Sequence, residues 1–377
     1  MREYLLVFLV AAAVTYLLTV IAREIAIRTR AVAAVRDRDV HDEPVPYLGG
    51  IAMLGGLWAA FLIARELPFL SKDGSFVFED AQRVLVAGSI VCVVGVLDDI
   101  VELDWTAKLG GQVLAVGYLI FAGIKFQFIP LHNGVQFSLD PNQGALLTAF
   151  VVIATINAVN FVDGLDGLAA GVIGIGAVAF FVFSYQLSAL NHVTLATTPA
   201  LLSAALAGAC TGFIPHNFHP ARLFMGDSGS MLLGLVLSSS VLTITTQFPG
   251  SAIGKGYGTD LNPVIFFLPL LLPILVLVVP FADLVLAVVR RTRAGRSPFS
   301  PDKQHLHHRL LEIGHSQRRA VIIMWLWAGL IGFGTVLTSL YRETWTWWGL
   351  GAMAFVTIGL TFVVPVIDKR RLVYHRD

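Results

Sequence analysis

Residues 168–186 have the sequence LAAGVIGIGAVAFFVFSYQ, a run of nineteen residues without a single charged side chain. A helix of about twenty apolar residues is long enough to cross the hydrocarbon core of a bilayer. Ten more apolar runs occupy about 4–27, 48–70, 81–97, 107–124, 145–161, 197–214, 228–247, 262–290, 319–340 and 346–367. The sequence therefore predicts an all-α integral membrane protein with about eleven transmembrane helices, organised as a single polytopic membrane domain over residues 1–377.

The composition excludes a soluble globular protein. Of the 377 residues, 56% are hydrophobic and 14% are charged, whereas a typical soluble domain has about 25% charged residues. Cys92 and Cys210 lie inside apolar runs without a pairing pattern, so we expect buried thiols and neither a disulfide nor a metal site. The first apolar run is followed, not preceded, by arginines, which favours a retained first helix over a secretory signal.

Lysine and arginine residues predict the orientation in the membrane, because connections on the cytoplasmic side carry an excess of them. Most of the 26 basic residues lie in 23–38, in 290–319 and in the C-terminal tail at 369–376. We therefore place these three segments in the cytoplasm. With an odd number of helices, the N-terminus is then outside and the C-terminus is cytoplasmic.

The same alternation brings five polar segments to the cytoplasmic face. They are 41–46, 98–104, 160–166, 217–227 and 290–319. The last of them contains a cytoplasmic histidine-containing loop at 291–318. Their convergence on one face predicts a single functional site there.

The segments away from the polar motifs have patterns that indicate a structural role. Residues 125–144 alternate apolar and polar side chains around Asn133-Gly134, a pattern typical of a β-hairpin, so we expect one short extracytoplasmic hairpin. The run 262–290 contains four prolines, and proline kinks or breaks a helix. We expect a bent helix there, which either opens a groove for a long lipid tail or serves packing alone.

Four polar residues at a spacing of three end an otherwise apolar helix: Asn157, Asn160, Asp163 and Asp166. This spacing keeps the four side chains on one helical face, and Gly164 among them permits a close approach to a ligand. An Asx-rich turn between helices would explain the Asp-Gly pairs, but it does not require the two asparagines. The pattern therefore favours a functional site.

Asp98 and Asp99 end the third apolar run. Carboxylates at the edge of a membrane are costly and usually functional, and such a pair suits Mg²⁺ binding or proton transfer from a phosphate. The alternative is a solvated loop in which Asp104 caps the next helix. Lys108 and Gln112 follow on that helix, where Lys108 either contacts a phosphate or extends to the membrane surface.

The segment around Asp227 precedes the eighth predicted helix. Asp227 or Ser228 has the side chain of an ordinary helix N-cap, yet a helix N-terminus beside a carboxylate also suits a Mg²⁺-diphosphate. Asn217 and Arg222 add polar groups to the same loop, and Phe224 either belongs to the core or stacks on a base.

His305, His307, His308 and Arg309 lie in the largest cytoplasmic connection. Three histidines in four residues are compatible with zinc binding, but no cysteine accompanies them and carboxylates dominate the other motifs. We therefore expect these side chains to anchor a diphosphate. An amphipathic helix on the membrane surface is the alternative.

Together these motifs resemble those of the polyprenyl-phosphate N-acetylhexosamine-1-phosphate transferase superfamily, in order and over nearly the whole chain. The matching segments are 41–50, Asp98-Asp99 with Lys108 and Gln112, 157–169, 224–230 and 305–308. The histidine motif resembles the branch that uses UDP-N-acetylglucosamine and initiates O-antigen (lipopolysaccharide), teichoic acid or arabinogalactan linker synthesis. Glu102 and Asp104 depart from relatives that carry a further aspartate near this position.

The resemblance implies a role for each motif residue. Asp227 is similar to the family's Mg²⁺ ligand, with Asn160 beside it, and Mn²⁺ is the alternative metal. Asp98, Asp99 and His305 are expected to be catalytic, the aspartates by handling the lipid phosphate. The expected substrate-binding residues are Lys108, Asn157, Asp163, Asp166, Asn217, Phe224, His307, His308 and Arg309, with Phe224 stacking on uracil.

The activity that the resemblance implies is Mg²⁺-dependent transfer of N-acetylglucosamine 1-phosphate from UDP-N-acetylglucosamine to undecaprenyl or decaprenyl phosphate. The products would be polyprenyl-diphosphate-N-acetylglucosamine and UMP, and the reaction would initiate cell-envelope polysaccharide synthesis. The implied location is the cytoplasmic face of the inner (plasma) membrane. The expected partners are the UDP-sugar, the polyprenyl phosphate, the membrane and a second copy in a homodimer, but no nucleic acid.

Other interpretations of the sequence remain open. The nearest is the same reaction with another UDP-sugar, such as UDP-MurNAc-pentapeptide. A membrane transporter would place polar residues near the midplane and often has internal repeats, whereas here they cluster at one face and no repeat is seen. A prenyltransferase requires a second Asp-rich motif. A CDP-alcohol phosphotransferase requires Ala-Arg soon after Asp163-Gly164, where this chain has Leu168-Ala169-Ala170.

Overall fold

The structure is a computed structural model. It describes residues 1–29, 45–72, 75–130, 136–190, 196–247, 313–341 and 343–374, together with isolated positions between 275 and 310. The described helices, in chain order, are α1 (Arg2–Thr29), α2 (Gly49–Arg65), α3 (Pro68–Lys72), α4 (Ser75–Val101), α5 (Trp105–Phe121), α6 (Pro141–Val162), α7 (Leu168–Tyr185), α8 (Thr197–Asn217), α9 (Gly226–Gln247), α10 (Gln317–Leu340) and α11 (Thr344–Tyr374). A π-helical turn, Gln186–Leu190, extends α7.

Eight of the described helices are long and apolar enough to cross a membrane. Two further apolar helices, α2 and α5, have 17 residues each. The prediction of an all-α integral membrane protein is thus confirmed, and ten of the predicted apolar runs coincide with helices. The run at 262–290, with its expected bend, lies outside the described residues apart from isolated positions, so the count of eleven spans stays a prediction.

Many of the hydroxyl side chains within the helices bond to the backbone of their own helix. Thr19 Oγ1 donates to the carbonyl of Thr15 over 2.6 Å, and Ser238 Oγ donates to that of Gly234 over 2.7 Å. In a bilayer no water is present to satisfy such groups, so the i−4 carbonyl is the nearest available acceptor. Hydroxyl groups can therefore be placed in membrane helices at little cost.

The centre of the protein is formed by α8 and α9, which are buried over most of their length, while α1 and α11 present most of theirs to the surroundings. Small residues allow α1 to approach α8 closely. A Cβ atom added at Gly208 would lie 2.3 Å from the carbonyl oxygen of Phe8, and one at Gly212 would lie 2.1 Å from that of Ala12. Such backbone contact is the usual way in which membrane helices associate.

Two short strands, β1 (Phe128–Pro130) and β2 (Gln136–Ser138), pair antiparallel within the segment for which a hairpin was predicted. The connection at 131–135 lies outside the described residues. Asp140 follows the strands and begins α6 with a capping box, in which its side chain accepts from the backbone N–H of Asn142. The side of the membrane on which the strands lie stays a prediction.

Cys92 and Cys210 are both free and buried. This confirms the prediction of two isolated apolar thiols. Cys210 packs against Gly174 of the neighbouring helix α7. A Cβ atom added at Gly174 would lie 3.1 Å from Cys210 Cβ.

Candidate active site

Three carboxylates from two helices meet at one end of the bundle. Asp98 and Asp99 lie at the end of α4, and Asp227 lies in the first turn of α9. One oxygen from each of the three lies within 4.8 Å of the others, and all three side chains are partly buried. Distant parts of the chain therefore form an acidic cluster, as the sequence motifs predicted.

Asp99 caps the N-terminus of α9 from a different helix. Its Oδ1 accepts the backbone N–H of Asp227 over 2.8 Å, and its Oδ2 accepts that of Ser228 over 3.3 Å. A helix leaves its first N–H groups without partners, and a carboxylate there also interacts favourably with the helix dipole. Both oxygens of the Asp99 carboxylate are thus engaged in fixing the turn that carries Asp227.

Glycine at position 226 makes this cap possible. Gly226 has a φ of +69°, and a Cβ atom there would lie 2.3 Å from Asp99 Oδ2. Two further glycines let neighbouring helices touch the same turn: a Cβ at Gly95 of α4 would lie 2.4 Å from Ser228 Cα, and one at Gly50 of α2 would lie 2.3 Å from the nitrogen of Gly229. The first turn of α9 is therefore held tightly on several sides.

Lys108 joins the other two carboxylates. Its Nζ lies 2.9 Å from Asp98 Oδ2 and also forms a salt bridge with Asp227 Oδ2. The second oxygen of Asp98 accepts the backbone N–H of Leu103 over 3.0 Å, which fixes the turn between α4 and α5. Lys108 belongs to the first turn of α5, so this turn sets its position.

Asp104 caps α5, which was the alternative interpretation of this segment. Its Oδ1 accepts the backbone N–H of Ala107 over 3.2 Å, and the hydroxyl of Thr106 donates to its Oδ2. These two hydrogen bonds, that of Thr106 above all, lower the pKa of the Asp104 carboxyl. Asp104 therefore belongs to the helix start and stands apart from the acidic cluster.

The polar face of α6 forms a side of the site. The amide nitrogen of Asn157 donates to Gln112 Oε1 over 2.8 Å, which joins α6 to α5. The amide nitrogen of Asn160 donates to Ser230 Oγ over 3.0 Å, which joins α6 to the first turns of α9. Because the Asn160 nitrogen is engaged, its amide oxygen is the group that suits a cation.

Asp163 follows α6 and is partly buried beside the cluster. Desolvation by burial raises the pKa of its carboxyl well above the ordinary value, and the negative charges of Asp227, Asp99 and Asp166 raise it further. Several carboxylates share this small volume, so the site favours a cation that would offset their charge.

Asp166 and Asn217 organise a loop. Asp166 is 2% exposed, and its Oδ2 accepts the backbone N–H of Ala221 over 3.0 Å and lies 2.9 Å from His219 Nδ1. Asn217 is 1% exposed, accepts from the backbone of Gly167 and donates to the carbonyl of Leu223, both over 3.0 Å. The described contacts of both side chains hold the loop 218–225, rather than point to an open substrate pocket.

Two arginines from other helices donate hydrogen bonds to the backbone of the same loop. Arg23 Nε of α1 donates to the carbonyl of Arg222 over 3.3 Å, and Arg318 Nε of α10 donates to that of His219 over 3.0 Å. The C-terminal end of α1 and the N-terminal end of α10 therefore lie at the same end of the bundle as the acidic cluster.

Phe224 is held by backbone pairing with the segment before α2. Its N–H donates to the carbonyl of Pro46 over 2.8 Å, and its carbonyl accepts from Gly49 over 3.0 Å. The ring of Tyr47 lies against it, with the ring centroids 5.9 Å apart and the planes at 43°. Phe224 is partly buried, so it forms an aromatic pair at the margin of the site.

A cavity of about 370 Å³ opens beside Lys108. Its lining residues come mainly from the start of α5: Leu103, Trp105, Lys108, Leu109, Gln112 and Asn157. Trp105 is 75% exposed. The cavity thus has a mixed lining, because three of these residues have apolar side chains and the other three, Lys108, Gln112 and Asn157, are polar.

The structure brings most of the predicted site residues to one region, but not all are described. His305, His307, His308 and Arg309, as well as residues 41–44 of the segment 41–50, lie outside the described residues. The sequence did not single out Tyr47, His219 or Ser230. Tyr47 lies within a quoted motif and His219 lies two positions after Asn217, so proximity to a motif was the available indication.

The residues of the cluster fit a hard divalent cation. Carboxylate and amide oxygens are the ligands that Mg²⁺ prefers, usually with one or two carboxylates and several waters. The Lys108 ammonium lies between Asp98 and Asp227, so these two carboxylates already direct oxygens at a positive charge. Asp227, with Asn160 and Asp98 nearby, has the donor set for such an ion.

Comparison with known proteins gives consistent matches. The sequence model of glycosyl transferase family 4 matches residues 82–245, which include Asp98, Asp163 and Asp227. The chain is 44% identical to the decaprenyl-phosphate N-acetylglucosaminephosphotransferase of Mycobacterium leprae over 98% of this chain and 92% of the relative. It is 45% identical to the protein of the same name from Mycolicibacterium smegmatis, over 98% of this chain and 90% of the relative.

A more distant relative extends the similarity beyond the mycobacteria. The probable undecaprenyl-phosphate N-acetylglucosaminyl 1-phosphate transferase of Bacillus subtilis is 29% identical over 92% of this chain and 87% of its own length. The chain therefore resembles these transferases along nearly its whole length and not in an isolated motif.

Proposed function

The chain belongs to glycosyl transferase family 4 and is a sugar-phosphate transferase of the membrane, and from this premise we propose its substrates and its mechanism. It transfers N-acetylglucosamine 1-phosphate from UDP-N-acetylglucosamine to a polyprenyl phosphate. The products are polyprenyl-diphosphate-N-acetylglucosamine and UMP, and the step initiates a cell-envelope polysaccharide. The observation that carries this proposal is the meeting of Asp98, Asp99, Asp227 and Lys108 beside an amphipathic cavity.

The chemistry requires little help from a base. A phosphate monoester has a second pKa of about 6, so the acceptor is largely dianionic at neutral pH. The main obstacle is the repulsion between this anion and the diphosphate of the donor. Positioning and positive charge therefore provide most of the catalysis, as in phosphoryl transfer generally. The Lys108 ammonium supplies part of that charge.

The proposed cofactor is Mg²⁺, with Mn²⁺ as the substitute, held by Asp227 and Asn160. When bound there, the ion would offset charge on the diphosphate of the donor. The acidic cluster supports this proposal, because one oxygen from each of its three carboxylates lies within 4.8 Å of the others, close enough to share one divalent ion. Asp99, whose two oxygens bond to backbone N–H groups, acts as the residue that orients Asp227.

The cavity at the start of α5 is the proposed place of the acceptor phosphate. Leu103, Trp105 and Leu109 give it an apolar lining for a prenyl chain, and Lys108 gives it a positive charge for the phosphate. An acceptor placed here brings its phosphate next to the acidic cluster. The lipid phosphate then attacks the sugar-bearing phosphorus directly, and UMP leaves.

The donor is proposed to bind on the side of Phe224. The Phe224 ring, against which Tyr47 packs, is proposed to stack on uracil. Asp163 and Asn157 remain proposed donor contacts, and His305, His307, His308 and Arg309 are proposed to anchor the phosphates or the sugar. For Asp166 and Asn217 the proposed role is to hold the loop 218–225 in the form that the donor meets.

We further propose eleven spans, an outer N-terminus, a cytoplasmic C-terminus and a site at the cytoplasmic face of the plasma membrane. Arg23 and Arg318 support this orientation, because both hydrogen-bond to the loop 218–225 and basic residues concentrate on the cytoplasmic side. The proposal includes one membrane domain over 1–377, with the histidine-containing loop at 291–318 beside the site, and a homodimer.

The donor sugar is tested with purified protein in detergent, decaprenyl phosphate and Mg²⁺. UMP release is measured with UDP-N-acetylglucosamine and with UDP-MurNAc-pentapeptide in parallel. We expect lipid-dependent UMP release with UDP-N-acetylglucosamine, at a rate at least about 100-fold above that with the pentapeptide. Enzymes commonly discriminate between related substrates by a ratio of this size. UMP release with UDP-MurNAc-pentapeptide and not with UDP-N-acetylglucosamine would identify the pentapeptide as the donor. No UMP release with either donor would contradict the proposal and favour the transporter hypothesis.

A further inference from the structure

Lys108 lies where a metal ion would be expected between two of the clustered carboxylates. Its Nζ is 2.9 Å from Asp98 Oδ2 and pairs with Asp227 Oδ2 as well. Within the described part of the chain, it is the one basic side chain in a salt bridge with this cluster. Asp99 already directs both of its oxygens at the backbone of α9.

A divalent ion at Asp227 and an ammonium on the same carboxylate are hard to accommodate together. Two cations a few ångströms apart repel, and the site is partly buried, so water screens the repulsion weakly. The ammonium is the mobile partner, because it is carried by a flexible four-carbon chain. Asp227, by contrast, is fixed by the cap on its own N–H group.

From this geometry we infer that Lys108 and the metal ion compete for Asp227, and that metal binding releases the Lys108 ammonium from Asp227 toward the acceptor phosphate. The inference rests on the proposed function, since it assigns the order in which that site is filled. In the metal-free protein Lys108 neutralises the cluster. In the metal-bound protein the same ammonium becomes a phosphate-binding group.

The surroundings of Lys108 give the released ammonium a defined destination. Its side chain lines the cavity of about 370 Å³, together with Trp105 and Leu109. Asp98 is itself fixed by the N–H of Leu103, and its pairing with Lys108 keeps the ammonium beside the cavity. An acceptor phosphate arriving there meets an ammonium paired only with Asp98 when the metal is in place, and an ammonium paired with both carboxylates when the metal is absent. Metal binding therefore precedes productive binding of the lipid phosphate.

The reactivity of the Lys108 amine tests this order without any substrate. The full chain in detergent is acetylated briefly, either with MgCl₂ or with NaCl at the same ionic strength, and modified peptides are quantified by mass spectrometry. An amine held between two carboxylates is shielded from the reagent, so we expect Mg²⁺ to accelerate acetylation of Lys108 at least threefold. Lys125, which is partly buried beyond the other end of α5, serves as the internal control and should not change.

Asp227→Asn is the matched variant, because it removes the contested charge and keeps the shape of the side chain. In this variant the acetylation rate of Lys108 should not depend on Mg²⁺. Equal or slower acetylation of Lys108 with Mg²⁺ in the unmodified protein would overturn the inference. If UMP is still released, that result leaves the proposed function intact and rejects only the competition between Lys108 and the metal ion. If Mg²⁺ accelerates acetylation but no UMP is released, the competition is supported and the proposed function is rejected.

Discussion

Asp99 Oδ1 accepts the backbone N–H of Asp227 over 2.8 Å, although 128 positions separate the two residues in the chain. Asp99 Oδ2 accepts the next N–H, that of Ser228, so a carboxylate of α4 serves as the cap of α9. Placement of the proposed metal ligand therefore depends on a residue that the sequence motif assigned to chemistry. The adjacent residue Asp98 has a different task, because it pairs with Lys108.

Replacement of Asp99 by alanine tests this division of roles. We expect a loss of about 1 kcal/mol of stability, typical of a lost helix cap, and about a 100-fold loss of kcat, because a misplaced ligand weakens catalysis strongly. Thermal unfolding and UMP release are measured on the same preparation.

Asp140→Ala is the matched control for that variant. Asp140 caps α6 through a capping box, at the opposite end of the helix from Asn157 and Asn160. It should lose similar stability and keep its activity per folded molecule. Equal kcat in Asp99→Ala and in the unmodified protein would contradict a role of Asp99 in placing Asp227.

Gly226→Ala should destabilise the first turn of α9. Alanine is strained at a φ of +69°, and its Cβ would lie 2.3 Å from Asp99 Oδ2, so the cap must break or move. We expect a loss of about 1–2 kcal/mol from the backbone alone and at least a tenfold loss of activity. Gly110→Ala in α5 is the control, since a Cβ there meets nothing within 4 Å. If that variant loses as much stability and activity as Gly226→Ala, the effect is not specific to the first turn of α9.

Asp163→Asn should stabilise the metal-free protein at neutral pH. Burial raises the pKa of the Asp163 carboxyl in the folded protein well above its ordinary 3.8. The folded protein therefore binds this proton more tightly than the unfolded chain does. The resulting gain in folding stability is complete below the pKa of the unfolded chain, and it is lost as pH rises through the pKa of the folded protein. The variant should therefore have the higher Tm at pH 7, by roughly 2–4 °C for each kcal/mol. The difference should shrink as pH falls toward 4, and a difference that grows with falling pH would exclude this origin.

Asn217→Ala should act on the loop and not on donor affinity. The substitution removes two buried hydrogen bonds, to the N–H of Gly167 and to the carbonyl of Leu223, which together contribute about 2 kcal/mol. We expect a lower Tm and a lower kcat with little change in the KM for UDP-N-acetylglucosamine. A raised KM at an unchanged Tm would instead support the direct substrate contact that the sequence predicted.

The helices were predictable because the bilayer restricts what the chain can do. Within the hydrocarbon every backbone group must bond inside its own segment, so a long apolar run such as 168–186 has helix as its natural outcome. The convergence of Asp98 and Asp227 was predictable for a related reason, since helix alternation places the ends of membrane helices on known faces.

The division of labour within the site was not predictable from residue types. Asp99 and Asp98 are adjacent and chemically identical, yet one caps a distant helix and the other pairs with Lys108. Asp166 belongs to a motif with regular spacing, but its partners His219 and Ala221 come from another loop. Such roles depend on packing between distant segments, which local pattern does not encode.

The central claim is that Asp227 is the group on which Mg²⁺-dependent sugar-phosphate transfer depends. It is tested most directly by UMP release from UDP-N-acetylglucosamine, with decaprenyl phosphate and titrated Mg²⁺, in the unmodified protein and in Asp227→Asn at equal folded concentration. We predict a saturable Mg²⁺ dependence in the former and a loss of at least about 1,000-fold in kcat in the latter, comparable to other losses of electrostatic stabilisation. Transfer that persists in Asp227→Asn with the same Mg²⁺ dependence would contradict the account.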